Sequence, residues 1–143
     1  MSKILIINGA NLNLLGQREP NIYGNFTLDD LEKLCIAKAS SCNSEVIFFQ
    51  SNLEGELINK IHSGYSQGIT KLIINAGGFS HTSIALMDAI IATKMQTIEV
   101  HISNIYKRED FRHNSYISKV ANGTICGLGA DGYLLAIEYL SKN

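Results

Sequence analysis

Apolar positions along the chain alternate between two periods. Short runs, Ile4–Ile7, Val46–Phe49, Leu72–Ile74, Thr97–Val100 and Gly123–Cys126, read as five strands. The first three are continuously apolar, the pattern of strands buried on both faces of a parallel sheet. Between the runs, apolar residues recur at helical spacing. Leu28, Leu31, Leu34 and Cys35 follow Thr27, with Asp30 three positions on in the manner of a capping box. Leu53, Leu57, Ile58 and Ile61 follow Asn52 as cap, and Ile84, Leu86, Ala89 and Ile90 follow Thr82 or Ser83. A last helix runs from about Ala130 to Leu140. This alternation predicts a flavodoxin-like, three-layer α/β fold with a five-stranded parallel sheet. No composition break or linker divides residues 1–143, so one domain is expected.

Two segments, 9–26 and 103–122, show neither period. Each follows a strand, and ligands of open α/β sheets bind beyond the carboxyl ends of strands. Loops this long in a compact domain are lids, binding loops or disordered, and these two are placed for binding.

Composition narrows the function classes. With 45% apolar and 17% charged residues the chain is not disordered, and a single proline, Pro20, excludes proline-rich architectures. A net charge of −1 and three arginines, Arg18, Arg108 and Arg112, leave no basic stripe for nucleic acid. Cys35, Cys42 and Cys126 form no CxxC pair and read as buried, reduced thiols of a cytoplasmic protein. The opening apolar strand is too short for a signal-peptide core, and no stretch approaches a membrane span.

Candidate chemistry gathers where the strands end. Asn8–Asn13, Gln50–Asn52, Asn75–Gly78 and His101–Asn104 are rich in uncharged donors and acceptors. A phospho-acceptor site would need carboxylates there. Glu99 and His101, two apart on a strand, face the same side, as a structural contact or as an oriented acid–base pair. His81 fits a helix start or a ligand contact equally, whereas His62 and His113 read as structural. No two histidines have metal-ligand spacing, so neither metal nor cofactor is expected. Tyr23 packs its loop, or becomes a base if Arg18 and Arg112 approach, because nearby positive charge favours phenolate. Gly127-x-Gly129-x-x-Gly132 matches a dinucleotide fingerprint, and a flavin- or nucleotide-binding module is the alternative it suggests. Only 11 residues follow it, too few for the next strand and its ribose-binding acid, and close helix–strand packing is the simpler use.

Taken together, Asn8-Gly-Ala-Asn-Leu-Asn-Leu-Leu-Gly, Arg18-Glu-Pro-x-x-Tyr23-Gly24, Asn75-Ala-Gly-Gly-Phe-Ser-His81 and Glu99-Val-His-Ile-Ser-Asn104 resemble type II 3-dehydroquinate dehydratase. Arg108-Glu-x-Phe-Arg112-x-x-Ser115 and Gly127-Leu-Gly-x-x-Gly-Tyr133 extend the resemblance over nearly the whole chain. One departure is Ala10, where that family usually has proline; alanine is expected to loosen the first loop. The resemblance implies a lyase of the shikimate pathway and aromatic amino acid biosynthesis. It would dehydrate 3-dehydroquinate to 3-dehydroshikimate by anti elimination through an enolate, without metal or Schiff base. In that scheme Tyr23 is the base, Arg18 stabilises its charge, and His101, oriented by Glu99, protonates the leaving hydroxyl. Asn11 holds a water on the enolate oxygen. Asn75, Ser103 and the backbone of Ile102 and Ser103 take the substrate carboxylate, while His81 and Arg112 hold ring hydroxyls. Asp88 is implied to reach a neighbouring subunit, within trimers that assemble into a dodecamer.

Overall fold

A computed structural model describes residues 1–17 and 19–142. Strands β1 (Ser2–Asn8), β2 (Ser44–Gln50), β3 (Lys71–Asn75), β4 (Gln96–His101) and β5 (Gly123–Cys126) form one parallel sheet. Their order is β2-β1-β3-β4-β5, the flavodoxin-like arrangement that the alternating periods predict. Helices α1 (Pro20–Tyr23), α2 (Leu28–Ser41), α3 (Glu54–Ser66), α4 (Ile84–Thr93) and α5 (Asp131–Lys142) complete it.

The side-chain period of two sorts each strand between two cores. Ile4 and Ile6 of β1, Ile73 of β3 and Ile98 and Val100 of β4 meet α2 and α5 on one face. Leu5 and Ile7, with Leu72 and Ile74, meet α3 and α4 on the other. Burial on both faces explains the unbroken apolar runs, each such side chain contributing about 1.5–3 kcal/mol of transfer free energy. On β4 the residues between Ile98, Val100 and Ile102 are Glu99 and His101. They therefore point to the α3–α4 face, which Ile117 of the second long segment also covers.

Local signals decide the helix starts. Thr27 Oγ1 accepts the Asp30 N–H at 3.1 Å and the Asp30 carboxylate accepts the Thr27 N–H at 3.1 Å, completing the capping box. Those bonds hold the Asp30 carboxyl below its ordinary value. Ser83, not Thr82, caps α4 by accepting the Leu86 N–H at 3.0 Å. Asn52 does not cap α3: Leu53 occupies that position, and Ser51 Oγ accepts the Leu53 N–H at 3.0 Å. The Asn52 side chain turns instead to the first long segment, accepting the Asn11 N–H at 2.9 Å.

Neither long segment is irregular throughout. The first contains a 3-10 turn at Leu12–Leu14 and the short α1, and Leu12 and Leu15 are buried beneath it. The second contains 3-10 turns at Ile105–Lys107 and Asp110–Arg112. Such single turns are too short to show as a period. Of the three cysteines, all free, only Cys35 is buried, with its thiol pushed up to about 12 by burial; Cys42 and Cys126 are half-buried. No helix of the described residues is long and apolar enough to cross a membrane.

Candidate active site

A cleft of about 180 Å³ opens at the carboxyl ends of β1, β3 and β4. It lies beside β1 and β3, where the strand order reverses and ligands of this fold bind. Its floor is peptide. A Cβ on Gly9 would stand 2.1 Å from the Ala76 carbonyl oxygen, so a side chain there is sterically impossible without moving the backbone. Gly77 adopts φ +61°, and a Cβ there would meet the Ala10 carbonyl at 2.9 Å. These two glycines let the chain leaving β1 lie directly against the chain leaving β3.

Buried amides fix those strand ends. Tyr133 on α5 donates its hydroxyl to Asn8 Oδ1 at 2.7 Å and accepts from Asn75 Nδ2 at 2.9 Å. Asn75 Oδ1 accepts the Gly77 N–H at 3.2 Å, so the lattice runs from the core to the cleft floor. Burial pushes the Tyr133 phenol well above its ordinary value and keeps it a neutral relay. Gln50 donates to the Gly9 carbonyl at 3.2 Å. The amides after β2 thus support the first loop, while Asn11 and Asn75, beyond β1 and at the end of β3, line the cleft.

Glu99 and His101 form the pair that their spacing suggests. His101 Nε2 donates to Glu99 Oε2 at 2.6 Å, and Glu99 is fully buried. Burial alone would raise the Glu99 pKa. Hydrogen bonding and positive charge at His101, with bonds from Ser115 and Ser118, outweigh it and hold the carboxyl below its ordinary value. Because Nε2 is engaged, His101 has Nδ1 left for the cleft it lines. His81 stacks near it, with ring centroids 6.4 Å apart, and its Nδ1 donates to the Asn114 carbonyl at 2.9 Å.

Opposite in chemistry is the phenol of Tyr23, from α1. Arg108 Nη1 donates to its oxygen at 2.7 Å and lies 3.4 Å from Ser103 Oγ. The guanidinium carbon also stands 5.3 Å from the ring centroid. Arg108, to which the sequence assigns no role, touches the phenol. Arg112 lines the same cleft but pairs with Glu109 at 3.0 Å, and Arg18 lies outside the described residues. His113 is structural as expected, its Nε2 donating to the Arg108 carbonyl at 3.0 Å.

Asn11, Tyr23, Asn75, His81, His101, Ile102, Ser103 and Arg112 all line the cleft, and Glu99 stands behind His101. Asn11 sits at φ 69°, a left-handed conformation that asparagine tolerates. The N–H groups of Ile102 and Ser103 donate to no acceptor among the described residues. Asp88 is exposed on α4 and is not brought to the cleft of its own chain. The Gly127 motif serves packing: a Cβ on Gly127 would lie 2.9 Å from Asn104 Cβ, and one on Gly132 3.2 Å from Val100. Among the described residues no three His, Cys, Asp or Glu side chains gather as a metal site.

The fold and the cleft define a small α/β enzyme equipped for acid–base chemistry. Residues 2–141 match the family model described as Dehydroquinase class II, and the chain belongs to that family. It is 53% identical over 138 residues to the 3-dehydroquinate dehydratase of Rhodopseudomonas palustris strain TIE-1, covering 96% of this chain and 91% of that protein. It is 51% identical over 141 residues to the catabolic 3-dehydroquinase of Candida albicans, covering 97% of each. The crystal structure of the type II dehydroquinase from Butyrivibrio crossotus matches with a TM-score of 0.95 at 46% identity, covering 97% of both chains. A dehydratase is a hydro-lyase, and this chain is an enzyme of that family.

Proposed function

We propose that residues 1–143 form one catalytic domain that dehydrates 3-dehydroquinate to 3-dehydroshikimate, the type II reaction of the shikimate pathway. One observation carries this reading: a single cleft holds a tyrosine oxygen under a guanidinium and an imidazole backed by a buried carboxylate. An elimination that proceeds through an enolate needs one group to take a proton from carbon and another to give a proton to oxygen.

Tyr23, as phenolate, removes the proton beside the ketone, and the electron pair moves to the carbonyl oxygen as an enolate. Arg108 donates to the phenol oxygen at 2.7 Å and so supports the charge the base carries. Arg18, by the family resemblance, is assigned to the same task. Asn11 holds the water that stabilises the enolate oxygen. The enolate then re-forms the ketone as the carbon–oxygen bond breaks, and His101 protonates the departing hydroxyl, releasing water. Removal and departure occur on opposite faces, an anti elimination. The N–H groups of Ile102 and Ser103, with Ser103 Oγ and Asn75, suit a carboxylate, and His81 and Arg112 suit ring hydroxyls.

Asp88 is assigned to the site of a neighbouring copy, in trimers that build a dodecamer. Supporting this, Ile84 and Ile91 are about half exposed, at 51% and 53%, and share with Asp88 one helical face of α4. We place the enzyme in the cytoplasm.

Addition of 3-dehydroquinate to purified protein should produce the ultraviolet absorbance of a conjugated enone. No absorbance change at millimolar substrate would overturn the assignment. Borohydride added with substrate should leave the protein mass unchanged, since the scheme uses no lysine Schiff base.

A further inference from the structure

Behind His101 lies a cluster to which the scheme above gives no role. Glu99 is fully buried and its one ion-pair partner among the described residues is His101. A carboxylate taken out of water needs compensation. Here neutral hydroxyls supply most of it. Oε2 accepts from His101 Nε2 at 2.6 Å and from Ser115 Oγ at 2.5 Å. Oε1 accepts from Ser118 Oγ and, at 3.1 Å, from Thr124 Oγ1. Ser115 Oγ also accepts the Ser118 N–H at 3.4 Å, which leaves its hydrogen for Glu99. An ionised carboxylate offers about four lone-pair sites, and all are filled.

We propose that Ser115, Ser118 and Thr124 are positioning residues for proton donation: they occupy three acceptor sites of Glu99, so that the fourth holds the Nε2 proton of His101 and the proton delivered to the leaving hydroxyl comes from Nδ1. The proposal rests on the reading of His101 as the acid. In the step, the Nδ1–H bond of the imidazolium breaks and an O–H bond forms as the carbon–oxygen bond of the substrate cleaves. Water leaves, and His101 remains as the neutral Nε2–H tautomer. Glu99 stays a carboxylate throughout, because protonating it would displace one of its donors.

The surroundings favour this division of labour. From β3 the register partner of Glu99 is the apolar Ile74. From β5 the titratable group is Cys126, pushed up to about 11 by burial and then by the Glu99 charge, and so neutral. The turn after β3 presents His81, against the His101 ring and not against Glu99. The second long segment presents Ser115 and Ser118. Removing those donors leaves burial less opposed, and the Glu99 pKa must rise.

The test uses Ser115→Ala, Ser118→Ala and the double variant, comparing the pH profile of kcat with 15N NMR of the His101 ring. The acid limb of kcat should move up by about one pH unit for a single variant and further for the double, since Glu99 then protonates at higher pH. Ser118→Thr, which keeps the hydroxyl, should restore the wild-type limb. In the double variant the neutral His101 ring should change from the single Nε2–H form to a mixture of tautomers. Should the serine variants fold poorly, Thr124→Val removes the weakest of the three bonds at an exposed position and should give a smaller shift in the same direction. Folded variants with an unmoved acid limb and an unchanged tautomer overturn the proposal. The NMR signal needs no turnover, so it separates this outcome from a failure of the acid assignment itself, which full activity of His101→Ala would reveal.

Discussion

The two long segments reach the cleft from opposite directions and are fastened in different ways. Residues 9–26 hang from the sheet by amides: Asn52 accepts from Asn11, and Gln50 donates to Gly9. Leu12 and Leu15 anchor the near half in the core, but α1, which carries Tyr23, has no buried residue. Residues 103–122 are sewn in along their length. Ile105 and Ile117 are buried, the Tyr116 N–H donates to the Ser80 carbonyl at 2.8 Å, and Ser115 and Ser118 bond Glu99. The segments meet where Arg108 holds Tyr23. The His101 side of the cleft is therefore part of the sheet's own framework, whereas Tyr23, on the other side, packs only partly buried against the core and is tied to the second segment by Arg108.

That contrast can be broken from either side. Tyr23→Phe removes the oxygen proposed as the base and should lower kcat by about 10²–10⁴-fold with KM little changed, in steady-state assays with 3-dehydroquinate. Arg108→Lys keeps the charge but loses the planar guanidinium, whose Nη1 reaches both the phenol and Ser103 and which also lies over the Tyr23 ring, and should cost on the order of 10²-fold in kcat. Wild-type turnover in Arg108→Lys would mean that the docking contact is incidental. Tyr133→Phe strands Asn8 Oδ1 and Asn75 Nδ2 in the core. At about 1–3 kcal/mol for a buried group left unpaired, a clear fall in Tm is expected, together with a raised KM through Asn75.

Acid should attack the sewn side first. Because the folded-state pKa of Glu99 is lowered, the stability it contributes is full above the ordinary value of 4.5 and is lost as pH falls from there towards its own pKa. Glu99→Gln should flatten the pH dependence of Tm in that window. The smallest effect belongs to the first loop. The Ala10 N–H donates to nothing among the described residues, so Ala10→Pro should stabilise by about 0.4–1 kcal/mol, visible as a small rise in Tm.

How far the sequence discloses this arrangement follows from the same division. The strands were legible because burial on both faces writes continuous apolar runs, and the Glu99–His101 pair because a strand puts alternate residues on one side. Contacts made across the chain left no local trace. Arg108 and Tyr23 are 85 positions apart, and their meeting depends on two loops whose turns are too short to show periodicity. Ser115 and Ser118 lie 16 and 19 positions beyond Glu99 in a segment without pattern, where serines look like ordinary turn residues. The family motif singled out Ser115 without saying what it does. Asn52 misled for a related reason: an asparagine before a helix is a good cap, but here the neighbouring loop competes for the same oxygen and Ser51 serves Leu53 instead.

The bare peptide under the cleft sets a limit on how this enzyme can be altered. With 2.1 Å between a would-be Cβ at position 9 and the Ala76 oxygen, a saturation library at that codon should return glycine alone among active clones. Of the glycines that line the cleft, Gly78 alone has open space where a side chain would stand, whereas Gly77 would press its Cβ on the Ala10 carbonyl. A change of substrate preference, natural or selected in the laboratory, has to be written at Gly78 or into the rim, at positions such as His81, Ser103 and Arg112.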